Sequence, residues 1–165
     1  MNYIFKTVFA FILILIGKLS SAQSGLPDIS VTSNKGIAVP LKSIIDTNTV
    51  TIISFWATWC VPCINELDAL QDKGNGEKIN SFKLIAISTD EARTVHRVKI
   101  LVITKEWSFD VYLDESNEVK RAFNVSNIPF IIVLNKGKIV YQRSGYVPGD
   151  EEILLDKIEQ LSAGN

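Results

Sequence analysis

The sequence predicts one α/β domain, a mixed β-sheet flanked by helices and closed by a hairpin and a terminal helix. Three observations predict it. Short, β-branched, nearly uncharged runs at 50–55, 82–88 and 130–134 read as buried strands. Segments between them carry apolar residues at helical spacing. A second strand-like run, 138–142, follows 130–134 after Asn135-Lys136-Gly137, whose glycine suits a hairpin turn. Strands alternating with helices bury both sheet faces.

The elements follow in order. Gln23 to Pro27 is a small, polar lead. Ile29 to Pro40 places Ser33-Asn34-Lys35-Gly36 between β-branched positions, which predicts a hairpin. After the strand at 50–55 a helix runs through about Gln71. Its Cys63, Glu66, Leu67 and Leu70 share one face, and Gly74 and Gly76 end it. Glu91 to Trp107 is read as a helix from Val95, Val98, Leu101 and Val102, although its composition is also β-rich. Val111 to Leu113 is a short strand and Asn117 to Phe123 a short helix. Asp150 is expected to cap the last helix, with Glu151 and Glu152 favourable against its dipole. Leu154, Ile158 and Leu161 give that helix its apolar stripe.

Composition narrows the function. The chain has 165 residues, 47% of them hydrophobic, and 17 basic against 18 acidic side chains. With a pI near 5.8 there is no broad basic face for phosphate, so nucleic-acid binding is not expected. Two cysteines exclude a disulfide-dense scaffold and a four-cysteine zinc site. One histidine leaves little for a His-rich metal site or a His-based triad; neither a metal nor another cofactor is expected.

Met1 to Ala22 reads as a secretory signal, and residues 23–165 as the domain. Lys6 supplies early positive charge, Thr7 to Ile16 is an apolar stretch of about ten residues, and Ser20-Ser21-Ala22 is a small-residue end that places cleavage before Gln23. The stretch is short for a membrane span; the competing reading is an uncleaved anchor. Loss of Lys6 and Lys18 with the signal takes the formal charge from −1 to −3. Export puts the cysteines in a periplasmic or otherwise extracytoplasmic compartment, where disulfides persist.

Cys60-Val61-Pro62-Cys63 carries the chemistry. Cys60 follows a buried strand and opens a helix, whose unpaired N–H groups and dipole stabilise a thiolate. The thiolate is the form that attacks a disulfide, so Cys60 is the predicted nucleophile. Cys63, one turn later, is placed to resolve the mixed disulfide. Pro62 fits the first helical turn, where its missing N–H costs nothing. Two cysteines three apart close almost no loop, which argues against a mere staple. The other reading is a pair of structural cysteines. Haem attachment would need His after Cys63, where Ile64 stands.

Trp56 to Cys63 resembles the active-site segment of the thioredoxin superfamily. With the signal and the Val-Pro pair, the chain most resembles the exported TlpA/ResA-like thiol–disulfide oxidoreductases, from Leu26-Pro27-Asp28 to the last helix. The resemblance implies a thioredoxin fold with an N-terminal β extension, a strand-and-helix insertion, a reversible Cys60–Cys63 disulfide and a cis-proline. Pro129 is the cis-proline candidate, with Ile128 offering its backbone to an extended substrate. Phe130 departs from the Thr or Ser that many members carry next. Glu66 matches an acid common in this group; as a partly buried carboxylate it would shuttle protons to Cys63, and otherwise it is a solvated helix residue. Ser54 stands where cytoplasmic thioredoxins have a buried Asp. Asp68 stands where many relatives have Pro, so their helix kink is not expected. Trp59 is expected beside Cys60, partly exposed, and Trp56 in the core. His96 is read as a surface or packing residue, and Glu115, Glu118, Lys120 and Arg121 as solvated faces.

The chain is read as a monomeric reductant of disulfides in exported proteins, supplied by a membrane electron donor, and apocytochrome c is a substrate class the resemblance permits. Val61-Pro62 puts no charge or imidazole between the cysteines, which favours reduction. The alternatives are a disulfide-forming oxidant, a peroxiredoxin-like peroxidase and a copper carrier. Residues 53–60 lack the proline of a Pro-x-x-x-Thr-x-x-Cys peroxidatic setting. A carrier of this fold uses a wider cysteine spacing and a distant histidine.

Overall fold

The computed structural model describes residues 26–74 and 82–163. The proposed signal lies outside the described residues, as does Gly76. Seven strands form one mixed sheet: β1 (Ser30–Ser33), β2 (Ala38–Pro40), β3 (Val50–Trp56), β4 (Phe82–Ser88), β5 (Asp110–Leu113), β6 (Phe130–Asn135) and β7 (Lys138–Ser144). Among the described residues five helices accompany them: α1 (Leu41–Ile44), α2 (Val61–Gly74), α3 (His96–Thr104), α4 (Glu118–Ala122) and α5 (Asp150–Ala163). The strand order is β2-β1-β5-β4-β3-β6-β7. β3, β4 and β5 are parallel; β6 and β7 extend one edge antiparallel, and β1 and β2 the other. This is a thioredoxin-like sheet with a hairpin added at its N-terminal edge.

Strand alternation divides the core into two layers. Ile52, Trp56, Leu84, Ala86, Ile131 and Val133 face α2, α3 and α5, where Cys63, Leu67, Val98, Leu154 and Ile158 meet them. Ile53, Phe55, Ile85, Ile87, Ile132 and Leu134 face α1 and α4. β3 is buried at every position, as expected of a central strand covered on both faces. Its C-terminal end delivers the chain to Cys60.

The helix expected over 91–107 is shorter. The chain first winds through turns at 92–95, with Val95 and Thr94 both bonding back to the Glu91 carbonyl. α3 then starts at His96, which is exposed, and stops before Glu106, whose φ of +53° reverses the chain. The Trp107 N–H closes the end on the Val102 carbonyl. Of the four residues proposed for its apolar face, only Val98 is fully buried. α4 likewise begins one residue late, because Asn117 takes a left-handed φ of +54°. Asp114, unremarked in the sequence, accepts the Val119 and Lys120 N–H groups there.

The expected cap on α5 is also different. Asp150 accepts the Val147 N–H and pairs with Arg143, while Glu151 accepts the Gly149 N–H. Both acids accept N–H groups of the turn that leads into the helix. α2 is continuous through Asp68. Asp68 accepts hydrogen bonds from Lys105 Nζ (2.6 Å) and Trp107 Nε1 (2.8 Å), tying α2 to the end of α3. Trp107 then meets Trp56 edge-on, ring centroids 5.0 Å apart.

Candidate active site

The dithiol lies where β3 passes into α2. The Cys60 N–H bonds to the Ala57 carbonyl, and the Cys60 carbonyl accepts the Ile64 N–H, so Cys60 is the residue from which the helix is wound. Cys60 and Cys63 are joined as a disulfide with Cα atoms 5.3 Å apart. Cys60 is 5% exposed and Cys63 fully buried. Their neighbours differ: Trp59 (64%) and Val61 (65%) stand out into solvent, and Pro62 is exposed. Trp59 and Val61 thus form the outer face of the site, with the edge of Cys60 between them and Cys63 behind.

Two networks hold this end of the sheet. In the first, buried Asp90 accepts both the N–H (2.8 Å) and Oγ1 (2.7 Å) of Thr58, and the hydroxyl of Ser88 (2.9 Å). Thr89 adds a backbone bond to the Trp56 carbonyl at 2.8 Å. The loop before Cys60 is thus fastened to the end of β4. Sequence reading missed Asp90, since a single acid after a strand carries no spacing signal.

The second network surrounds Glu66. It lies one turn beyond Cys63 and is fully buried, which overturns the solvated reading. One carboxylate oxygen pairs with Nη2 of Arg143; the other has no hydrogen-bond partner among the described residues. Burial raises its pKa to about 7, against the pull of the adjacent guanidinium. Arg143 was not anticipated. It lies opposite Ile131 in the β6–β7 register, and residues directly opposite share a face. Arg143 therefore points to the layer that holds α2. Alternation with Tyr141, two residues earlier, was the available signal.

The Ile128–Pro129 peptide is cis. Pro129 is buried and Ile128 half-buried, and the Pro129 carbonyl accepts the Gly145 N–H at 2.8 Å. Ser54 is buried, and its hydroxyl has no hydrogen-bond partner among the described residues. His96, on α3, belongs to neither network.

The AhpC/TSA family model matches residues 23–150. The chain belongs to the AhpC/TSA family. The thiol–disulfide oxidoreductase ResA of Bacillus subtilis is 26% identical over 164 residues, covering 98% of this chain and 84% of that protein. ResA of Bacillus thuringiensis subsp. konkukian is 28% identical over 120 residues, 72% of this chain and 67% of the relative. Among solved structures, a thioredoxin-like protein from Porphyromonas gingivalis superposes with a TM-score of 0.74 at 36% identity, covering 85% of this chain and 93% of that one. Family, fold and adjacent cysteines make this AhpC/TSA member a redox enzyme of the thiol–disulfide oxidoreductase class.

Proposed function

We propose that the protein is an extracytoplasmic reductant of disulfides in exported proteins. The observation that carries the mechanism is the position of the pair: Cys60, 5% exposed, lies between exposed Trp59 and Val61, whereas Cys63 is fully enclosed. In the reduced enzyme the Cys60 thiolate attacks a substrate disulfide. A bond forms between Cys60 and one substrate sulfur, and the other leaves as a thiolate that takes up a proton. The Cys63 thiol then gives its proton to Glu66 and attacks the Cys60 sulfur. The Cys60–Cys63 disulfide forms, the second substrate thiolate is released, and two electrons have passed to the substrate.

The remaining residues support these steps. The N-terminus of α2 stabilises the Cys60 thiolate. The unclaimed oxygen of Glu66 is a proton acceptor one turn behind Cys63. Ile128, before the cis peptide, offers backbone groups to an extended substrate, and Pro62 shapes the first turn. A membrane dithiol donor returns the electrons by reducing the Cys60–Cys63 disulfide. The N-terminal signal supports export, and a cysteine pair such as that of apocytochrome c is a substrate this chemistry admits.

Insulin reduction driven by dithiothreitol tests the order of attack. Cys60→Ser should abolish stimulation, and Cys63→Ser should accumulate a mixed disulfide on Cys60, visible by mass. A mixed disulfide on Cys63 in the Cys60→Ser variant would contradict the assignment.

A further inference from the structure

Arg143 makes contacts that one surface ion pair would not require. Its side chain is 15% exposed, and its Nη2 pairs with fully buried Glu66. Its Nη1 pairs with Asp150 and also donates to the Gly145 carbonyl at 3.1 Å. The same Gly145 donates its N–H to the carbonyl of Pro129. One guanidinium thus spans the dithiol helix, the residue bonded to the cis-proline and the start of α5. A planar fork with five donors is suited to such a junction, where an ammonium group is not.

We propose that Arg143 is a positioning residue for the thiol–disulfide exchange, holding Glu66 behind Cys63 as an ionised proton acceptor and joining it to the cis-proline loop. The inference rests on the reading of Glu66 as the acceptor for Cys63. A buried carboxylate without a cation takes up a proton and stays neutral. Neutral Glu66 cannot receive the Cys63 proton. Burial alone pushes Glu66 up, Arg143 pulls it down, and Asp150 and Glu151 push it up again. The charged and titratable groups around it are Arg143 from β7, Asp150 and Glu151 from α5, Tyr146 from the intervening turn, and Cys63 from its own helix. Tyr146 donates to Glu151 at 3.0 Å and is pushed up to about 12, so it remains a neutral donor across the working range. Lys73, the cation at the far end of α2, is occupied by Glu152. Among these groups Arg143 is the cation in direct contact with Glu66. Asp150 competes for it.

The competition gives two variants with opposite effects. Removing Arg143 should raise the pH at which Glu66 ionises, and removing the charge of Asp150 should lower it. The test uses the reduced protein and the aromatic disulfide DTNB in stopped flow. Attack by Cys60 releases the first thionitrobenzoate. Attack by Cys63 on the mixed disulfide releases the second, so the second phase reports the step that needs Glu66. In Arg143→Gln the acidic limb of that phase should move up by about one pH unit, about tenfold slower on the limb. Asp150→Asn should move it down, and Arg143→Lys, which keeps the charge but not the fork, should restore only part of the wild-type profile. Placing Arg143→Gln in a Glu66→Gln background should add no further shift. A merely structural role would lower stability and slow the phase equally at every pH, in either background. If Glu66→Gln leaves the second phase and its pH profile unchanged, the acceptor reading falls and Arg143's role with it. If Glu66→Gln alters the profile but the Arg143 variants do not, only the role of Arg143 is overturned.

Discussion

Thr58 donates both its backbone N–H and its hydroxyl to the carboxylate of Asp90, 32 residues further on. Two bonds from one residue fix the loop that ends at Cys60 in both position and orientation. Asp90 is 1% exposed and takes the Ser88 hydroxyl as well. No basic side chain bonds to it among the described residues, so its charge is held by oriented donors alone.

Asp90→Ala should therefore cost about 2 kcal/mol, because it strands the buried Ser88 hydroxyl and the half-buried N–H and hydroxyl of Thr58. Asp90→Asn should cost less, since one amide oxygen still accepts. Urea unfolding of the oxidised protein measures both. The first phase of the DTNB reaction should slow in Asp90→Ala, because the N–H groups beside Cys60 lose their fixed direction.

A second prediction concerns Asp68. It joins α2 to Lys105 and to the indole N–H of Trp107, which packs on Trp56. Asp68→Ala leaves the indole unpaired and should cost about 1–3 kcal/mol. Asp68→Pro also removes a helix N–H from a continuous helix, for a further ~3 kcal/mol. Thermal unfolding should rank the two in that order, with near-ultraviolet circular dichroism reporting the Trp56–Trp107 contact.

A third prediction is the pH dependence of stability. Glu66 has a folded pKa raised from 4.5 to about 7. The folded oxidised protein thus binds more protons than the unfolded chain between these values. The contribution of Glu66 to stability is complete below about pH 4.5 and is lost as pH rises to about 7. The full shift corresponds to about 3 kcal/mol. Glu66→Gln should flatten this slope in denaturant titrations across pH 4–8, whereas an unchanged slope would assign it to other groups.

A fourth prediction concerns the N-terminus. If residues 1–22 are a cleaved signal, protein recovered from outside the cytoplasm begins at Gln23. Intact-mass measurement checks this; a product retaining Met1 in the membrane fraction would favour the uncleaved anchor.

Much of the fold was legible because β3, β4 and the β6–β7 hairpin have unmistakable apolar runs and turn chemistry. The α3 region was not, because its stop depends on Glu106 adopting a positive φ, for which glutamate has no propensity signature. Exposed Ile100 and Ile103 also imitate a buried face in one dimension. In the site, Cys60 and Cys63 announced themselves by local motif, and Pro129 only through the family resemblance that the motif carries. Glu66 was visible by helical spacing from Cys63, but its depth was not. Arg143 and Asp90 reach the site from distant strands, through strand register and a loop contact respectively. Register is set by pairing across the sheet, and only the β6–β7 alternation offered a hint of it.

The reduction potential of the Cys60–Cys63 pair tests the central claim most directly. Equilibration of the protein against glutathione and dithiothreitol redox series gives it. A reductant requires a value near or below about −250 mV, in the range of thioredoxin-like proteins that need an electron supply. A value near about −120 mV would reverse the direction and make the protein a disulfide donor.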